Sequence, residues 1–312
     1  MSVSAPASLY LGIDVGGTDV KLGLVDRECR IVDRERTATS SLRTPQNVFQ
    51  HAAEFVGERT IAGVGLAVPG VLDTRANVLR EVVNLEGWLG VPLHSELVRI
   101  TGFPTIVVND ANAAAYAEHA LRSLGGQSLA LVTLGTGVGC GMVVSGDPHG
   151  GDHGCAGEVG HITIDFSDDA SLCTCGGRGH LEAYAGAAGV IARMIAASGE
   201  EAAAAITPLE IASRAERGDT ICQQVIFDTA IYVGRAIGMI GQVADPAVVL
   251  LGGAMTFGGG ETQTGRRFLE HVRQSVKATT LTQVGGNMKI EFATLGNQAG
   301  LIGAAMAARD LL

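Results

Sequence analysis

Apolar residues at the start of the chain form three short runs separated by polar and glycine-rich positions. Leu9–Asp14 is a run typical of a buried strand, and Val20–Val25 predicts a second strand after the tight turn Gly16-Gly17-Thr18. Ile31–Thr37 predicts a third strand. The chain is therefore expected to open as a β-meander whose first turn is rich in glycine.

The same pattern returns near residue 130. Leu129–Leu134 predicts a strand, Gly135-Thr136-Gly137 a turn, and Gly139–Val144 a further strand. Strand, glycine-threonine turn and strand thus occur twice. This repetition indicates an internal duplication.

Helical and extended patterns alternate along the rest of the chain. Helical spacing is expected over 45–59, after Asn109, from Leu181 to Val243, and over Gly300–Leu312. Further strands are expected at Ile61–Val68, Ile106–Val108, Val248–Leu251 and Ile290–Thr294. Together with 44 glycines and 46% hydrophobic residues in a chain of 312 residues, this predicts a loop-rich α/β protein of two domains.

Charge and cysteine usage narrow the function classes. The net charge of −10 argues against nucleic acid as a partner, which requires clustered Lys and Arg. None of the three lysines (Lys21, Lys277, Lys289) follows a glycine, so a Walker A loop is absent. Four of the six cysteines are scattered, and no signal peptide or apolar span is apparent. We therefore expect a cytoplasmic protein without a membrane partner.

A potential metal site lies between Gly154 and Glu182. His161, Cys173, Cys175 and His180 offer four nitrogen or sulfur ligands, the number and types that Zn²⁺ favours. A glycine-rich loop with two incidental cysteines is the alternative. Two histidines at loop distance favour a structural zinc.

The glycine turns could approach phosphate closely, because glycine exposes its backbone N–H and has no Cβ. Asp14 precedes the first turn and would suit Mg²⁺. Tight hairpins remain the alternative for each turn alone. Three such turns favour nucleotide binding, with ATP and Mg²⁺ held by Asp14, Gly16, Gly17, Thr18, Gly135, Thr136, Gly137, Gly252, Gly253 and Ala254.

Asp110 directly follows an apolar strand, where side chains commonly project into a crevice. Phosphoryl transfer to a hydroxyl group needs a carboxylate that orients the hydroxyl and takes its proton. The alternative role for Asp110 is that of a helix N-cap. The residue type and its position leave both roles open.

Gly157-Glu158-Val159-Gly160-His161, followed by C-x-C-G-G-x-G-x-L-E over 173–182, resembles the ROK family of sugar kinases and repressors. V-N-D-A-N-A-A-A over 108–115 resembles the same family. The family has cysteine at the last metal position, where this chain has His180. His is also a good Zn²⁺ ligand, so the metal remains expected.

This resemblance implies an actin-like ATPase (ribonuclease H-like) fold with two duplicated α/β domains around a cleft. It implies that Asp110 is the catalytic base and that the glycine turns are two phosphate loops and an adenosine loop. The expected domains are 1–118, with the C-terminal helix 300–312 packing back on it, and 119–299 with the zinc loop. The implied sugar contacts are Asn84, Asn109, Asp110, Glu158, His161 and Glu182.

The function implied is ATP-dependent phosphorylation of a hexose at its 6-hydroxyl, with glucose as the first candidate. An N-acetylglucosamine or N-acetylmannosamine kinase is the alternative. A sugar-responsive ROK repressor is disfavoured because only ten residues precede Leu11 and the chain is acidic. A sugar-binding module without activity is disfavoured because Asp14, Asp110 and the three turns are intact. We also expect a homodimer or a higher homo-oligomer.

Overall fold

The computed structural model describes residues 8–82, 85–199 and 206–312. Contacts between Cα atoms divide the chain into two compact units. The first contains the residues up to Gly126 together with Gly141–Ala156 and Asn297–Leu312, and the second contains Gln127–Cys140 and Gly157–Gly296. The predicted boundary between residues 118 and 119 differs from this division, chiefly at residues 141–156. The division into domains therefore stays a prediction.

A five-stranded sheet forms the centre of the first unit, with the strand order β3-β2-β1-β4-β7. β1 to β3 form the predicted antiparallel meander, and β4 and β7 run parallel to β1. A separate hairpin, β5 and β6, was not predicted. The strands are β1 (Tyr10–Val15), β2 (Asp19–Val25), β3 (Ile31–Ala38), β4 (Gly63–Val68), β5 (Val71–Asp73), β6 (Val78–Glu81) and β7 (Thr105–Asn109).

The helices of this unit include one that lies directly on the sheet. They are α1 (Thr39–Leu42), α2 (Pro45–Val56), α3 (Leu93–Thr101), α4 (Asp110–Leu121) and α11 (Ala299–Asp310). A Cβ built on Gly65 would lie 1.8 Å from the carbonyl oxygen of Ala304, and one on Gly303 would lie 1.8 Å from that of Ala113. Glycine at these two positions therefore lets α11 approach β4 and α4 backbone to backbone.

The second sheet has the strand order β10-β9-β8-β11-β12, where β8 is Leu129–Leu134, β9 Val138–Val144, β10 Asp147–Pro148, β11 Val248–Gly252 and β12 Lys289–Phe292. β11 runs parallel to β8 and to β12. The helices of the second unit are α5 (Glu182–Ala185), α6 (Ala187–Ser198), α7 (Pro208–Glu216), α8 (Thr220–Ala244), α9 (Gln263–Thr279) and α10 (Thr282–Asn287).

The two sheets repeat one plan. In each, the first strand lies in the middle, a meander extends to one side, and two parallel strands extend to the other. The predicted α/β class and internal duplication are confirmed. The helix expected over 45–59 ends earlier, at Val56, because Gly57 follows it with a φ of +58°. None of the described helices is both long and apolar enough to cross a bilayer.

Candidate functional site: three glycine turns, a helix-start carboxylate and a Cys/His cluster

The carboxyl ends of three parallel strands bring candidate residues to one edge of the first sheet. Asp14 of β1 is level with Ala67 of β4, and Val68 of β4 is level with Asn109 of β7. Polar groups that follow parallel strands meet at the same edge of the sheet, where α/β proteins bind their ligands. The register therefore brings together the segments that carry Asp14 and Asp110.

Asp110 is the first residue of α4, and the N-cap is its neighbour Asn109. The Asn109 Oδ1 atom accepts from the backbone N–H of Asn112 at 3.0 Å, and its Nδ2 atom donates to the carbonyl of Gly70 at 3.2 Å. The partly exposed Asp110 accepts from the N–H of Ala111 at 2.8 Å. The helix N-terminus favours an ionised carboxylate here. The alternative role of Asp110 as the cap is therefore wrong.

Asp14 is buried at the end of β1, and its Oδ2 atom lies 2.8 Å from the ammonium nitrogen of Lys21. The start of α11 also approaches the carboxylate: a Cβ on Gly300 would lie 2.9 Å from it. A buried carboxylate needs such compensation. A cation bound at Asp14 would therefore share this carboxylate with Lys21, a partner that the sequence analysis did not identify.

The first glycine turn is closed by the N–H of Gly16, which donates to the carbonyl of Asp19 at 2.8 Å. A Cβ on Gly17 would meet no atom of the described chain within 4 Å, so this backbone faces open space. The side chain of Asp19 is paired with Arg36. That ion pair lowers the pKa of the Asp19 carboxyl, chiefly through the hydrogen bond with Arg36.

The second glycine turn is tied to Glu182. The N–H of Gly135 donates to the carbonyl of Gly137 at 3.0 Å, and the next N–H, that of Val138, donates to Oε2 of Glu182 at 3.0 Å. A Cβ on Gly137 would lie 2.3 Å from the same oxygen. Glycine at 137 thus makes room for this carboxylate as well as for any ligand.

The third turn, Gly252-Gly253-Ala254, lies beside the second. Gly252 ends β11 level with Thr133 of the parallel strand β8, so both strands end at the same edge. Gly253 has a φ of +87°, and a Cβ there would lie 2.2 Å from the carbonyl oxygen of Leu134. Only glycine satisfies both constraints. The predicted second phosphate loop and adenosine loop are therefore neighbours in the second unit.

His161, Cys173, Cys175 and His180 come together as the sequence predicts. One ligand atom from each lies within 4.8 Å of the other three. The edges of a tetrahedral zinc site with two nitrogen and two sulfur ligands are about 3.3 to 3.8 Å long. The four groups thus fit Zn²⁺ after contraction by about 1 Å at most. Burial raises the pKa of the Cys173 thiol, and a divalent cation would oppose that change by stabilising the thiolate.

A short irregular ribbon presents these ligands. Thr163 bridges His180 and Leu172 bridges Arg178 in antiparallel fashion, and the N–H of Cys173 donates to the carbonyl of Gly177 at 2.7 Å. A Cβ on Gly177 would lie 2.2 Å from the His180 ring. Glycine at 177 therefore allows that ring to lie against the backbone.

The remaining predicted sugar contacts lie around this ribbon. Nδ1 of His161 is 3.9 Å from Sγ of Cys173, while Nε2 is 3.9 Å from a carboxylate oxygen of Glu158. The side chains of His161 and Glu158 are 39% and 46% exposed, so both reach solvent. Glu182 accepts from the hydroxyl of Thr174 as well as from Val138. The predicted contact Asn84 lies outside the described residues.

A network behind the ribbon was not predicted. The Tyr184 hydroxyl donates to Asp165 at 2.6 Å and accepts from the N–H of Ser171 at 2.8 Å, while Arg193 donates to the Tyr184 carbonyl at 2.9 Å. Burial and the Asp165 carboxylate raise the pKa of Tyr184. Arg193 also donates to Thr229 of α8. This network anchors α5, which begins with Glu182, to the core of the second unit.

The repeated sheet, with glycine turns at its strand ends, defines this protein as one of the actin-like ATPase fold. A solved structure of the same fold, a ROK hexokinase from Thermus thermophilus, matches with a TM-score of 0.80 and 31% identity over 96% of this chain and 98% of its own. A sequence model of the ROK family matches residues 10–311. The chain belongs to the ROK family, and the resemblance seen in its sequence is confirmed.

Two curated relatives cover nearly the whole chain. A glucokinase from Halalkalibacterium halodurans is 32% identical over 314 residues, which cover 94% of this chain and 93% of the relative. An N-acetylmannosamine kinase from Escherichia coli O127:H6 is also 32% identical, over 96% of this chain and 98% of the relative. Equal identity to kinases of two different sugars leaves the choice of sugar to the pocket itself.

Proposed function

We propose that this protein is an ATP-dependent sugar kinase that phosphorylates the 6-hydroxyl of a hexose, with glucose as the first candidate substrate. The observation that carries the proposal is the position of Asp110 at the start of α4, where Asn109 already fills the cap. An ionised carboxylate at the carboxyl edge of the sheet suits a base that accepts a proton from a hydroxyl. Membership of the ROK family supports the same assignment.

In this proposal the three glycine turns hold ATP and its Mg²⁺, with Asp14 next to the cation. The open space at Gly17 and the exposed turn at Gly253 suit backbone N–H groups that approach phosphate or nucleoside. Asn84, Asn109, Glu158, His161 and Glu182 are the proposed contacts to the sugar hydroxyls. Amide and carboxylate groups that pair with hydroxyls also reject molecules lacking them.

The Cys/His cluster is proposed to hold one structural Zn²⁺. Nδ1 of His161 faces Cys173, so a zinc ion bound there would fix the tautomer of the ring and leave Nε2 as an N–H donor. That donor would be available to a sugar hydroxyl beside Glu158. The metal would thereby position a substrate contact while remaining remote from the transferred phosphoryl group.

N-acetylmannosamine is the second candidate, favoured by the relative that acts on it. A coupled assay of ADP release across glucose, mannose, fructose, allose, N-acetylglucosamine and N-acetylmannosamine separates the candidates. The highest kcat/KM is expected with glucose. A higher value with an N-acetylhexosamine would replace the first candidate by the second, and no sugar-dependent ADP release from any of them would contradict the kinase assignment.

Gly17→Ala tests the nucleotide site without disturbing the protein. No atom of the described chain blocks a Cβ at this position and its φ is not positive, so the free energy of unfolding is expected to change by less than about 1 kcal/mol. A methyl group would instead occupy the space of a phosphate. We expect the KM for ATP to rise about tenfold or more, which corresponds to about 1.4 kcal/mol.

Gly126→Ala is the matched control, because its Cβ would also meet nothing within 4 Å and no nucleotide contact is proposed for it. Gly137→Ala would be less informative, since its Cβ collides with Glu182. An ATP KM that is unchanged in Gly17→Ala would remove the first turn from the proposed nucleotide site.

A homodimer or higher homo-oligomer and a cytoplasmic location also belong to this proposal.

A further inference from the structure

Only one narrow face of the 25-residue helix α8 reaches solvent. Its members recur at intervals of three and four residues, while the intervening positions, such as Val225 and Val233, are buried. We call this face the α8 seam; it comprises Ile221, Gln224, Asp228, Ile231, Arg235 and Gln242. A seam with this spacing is the pattern by which two helices pack along each other.

The seam carries two opposite charges that lack an ion-pair partner. Asp228 accepts a hydrogen bond from the Gln224 amide at 2.8 Å, and the Arg235 guanidinium lies 5.7 Å from the centre of the Tyr232 ring. Within the described part of the chain, neither has an oppositely charged group within 4.0 Å. They are seven residues apart, or about 10 Å along the helix axis.

This arrangement is self-complementary under a two-fold axis. If two α8 helices pack antiparallel with the axis beside Ile231 and Tyr232, Asp228 of each copy faces Arg235 of the other. Ile231 of each copy, 39% exposed, then lies near the axis with the same residue of the second copy. A two-fold interface requires one patch to complement itself in this manner.

Two grooves along the seam show the same symmetry. The first, of about 500 Å³, is lined by α6 and by Thr220, Ile221, Gln224, Val225 and Asp228. The second, of about 340 Å³, is lined by Thr279 and by Arg235, Gly238, Met239, Gln242 and Val243. The two-fold axis pairs each α8 residue of the first groove with one of the second. Each groove thus receives seam residues of the opposite copy.

We propose that the α8 seam is the homodimer interface of this protein, formed by antiparallel α8 helices with reciprocal Asp228–Arg235 ion pairs. A second copy of the chain is the occupant because it supplies both opposite charges in register from the same surface. The proposal concerns association and is independent of the kinase assignment.

The test is the dimer dissociation constant, measured by sedimentation equilibrium for four proteins. In Asp228→Arg, two pairs of arginines face each other across the interface, and in Arg235→Asp, two pairs of aspartates do. Each single change is expected to weaken the dimer at least tenfold. The double exchange Asp228→Arg/Arg235→Asp restores opposite charges at both places and is expected to return the constant to within about threefold of the original.

Glu54→Arg, on the exposed face of α2, is the control for the change in net charge and should leave association unaltered. Thermal melting checks that each variant is folded. If a charge variant does not fold, Ile231→Glu, which places two carboxylates near the axis, takes its place with the same expectation. A monomeric original protein at tens of micromolar, unweakened single variants, or a double exchange no better than the singles would each overturn the proposal.

Discussion

Asp110→Asn is expected to lower turnover by about 10²- to 10⁴-fold, the usual contribution of a positioned general base. Asparagine keeps the shape of the side chain and its acceptor for the Ala111 N–H but cannot take a proton. Because Asn109 caps α4, the fold should lose little more than the attraction of a charge to the helix N-terminus, about 0.3 to 1 kcal/mol. Affinity for the sugar should change little. Steady-state kinetics, isothermal titration with sugar and thermal melting measure these three quantities.

Asn109→Ala is the informative companion. It removes the cap and the hydrogen bond to Gly70, and it should cost about 1 kcal/mol of stability while turnover falls less than in Asp110→Asn. A catalytic role for Asp110 requires the two variants to differ in this direction. Near-full turnover in Asp110→Asn would mean that its carboxylate serves only the start of the helix.

The second large effect is expected from metal removal. Protein purified without chelator should contain close to one zinc per chain by elemental analysis. Stripping it should disorder residues 154–182 and abolish sugar binding, because few backbone hydrogen bonds hold the ribbon and structural Zn²⁺ contributes folding energy directly. Hydrogen exchange and sugar titration before and after chelation, and after zinc is returned, provide the measurement.

A pair of cysteine variants isolates the cluster. Cys173→Ser removes one of the four converging ligands and should lose the zinc and sugar binding together. Cys155→Ser changes an exposed cysteine outside the cluster and should lose neither. His180→Cys should retain zinc, since thiolate and imidazole are both good ligands. Protein that carries no zinc, yet binds sugar with an ordered ribbon, would show that the cluster is not a metal site.

The elements that the sequence predicted are those with a continuous buried run bounded by glycine. β1, β4 and β8 are apolar along most of their length and nearly fully buried, so their sequence records their environment directly. The hairpin β5–β6 has only short apolar stretches, and its second strand follows Asn77, which has a φ of +52°. α3 buries only Leu93 and Leu97, which is too few positions to establish a helical period.

The site shows the same limit. Ligand types and turn glycines are local features, and they predicted which residues converge in the Cys/His cluster. The pairing of Lys21 with Asp14 depends on the register between two strands, and the contact of Glu182 with Val138 joins residues 44 apart in sequence. Neither partner is marked by its neighbours along the chain. The assignment of the cap to Asn109 rather than Asp110 required the backbone angles at the start of α4.

The Glu182 carboxylate has one oxygen on the backbone of the second glycine turn and the other on the hydroxyl of Thr174, between the two cysteines of the cluster. A single rigid group therefore reports the state of one loop to the other. By thermodynamic linkage, a ligand that orders the turn and an ion that orders the ribbon must favour each other by equal amounts of free energy. A kinase of this design would hold its nucleotide more weakly when short of zinc, and its zinc more tightly when supplied with ATP.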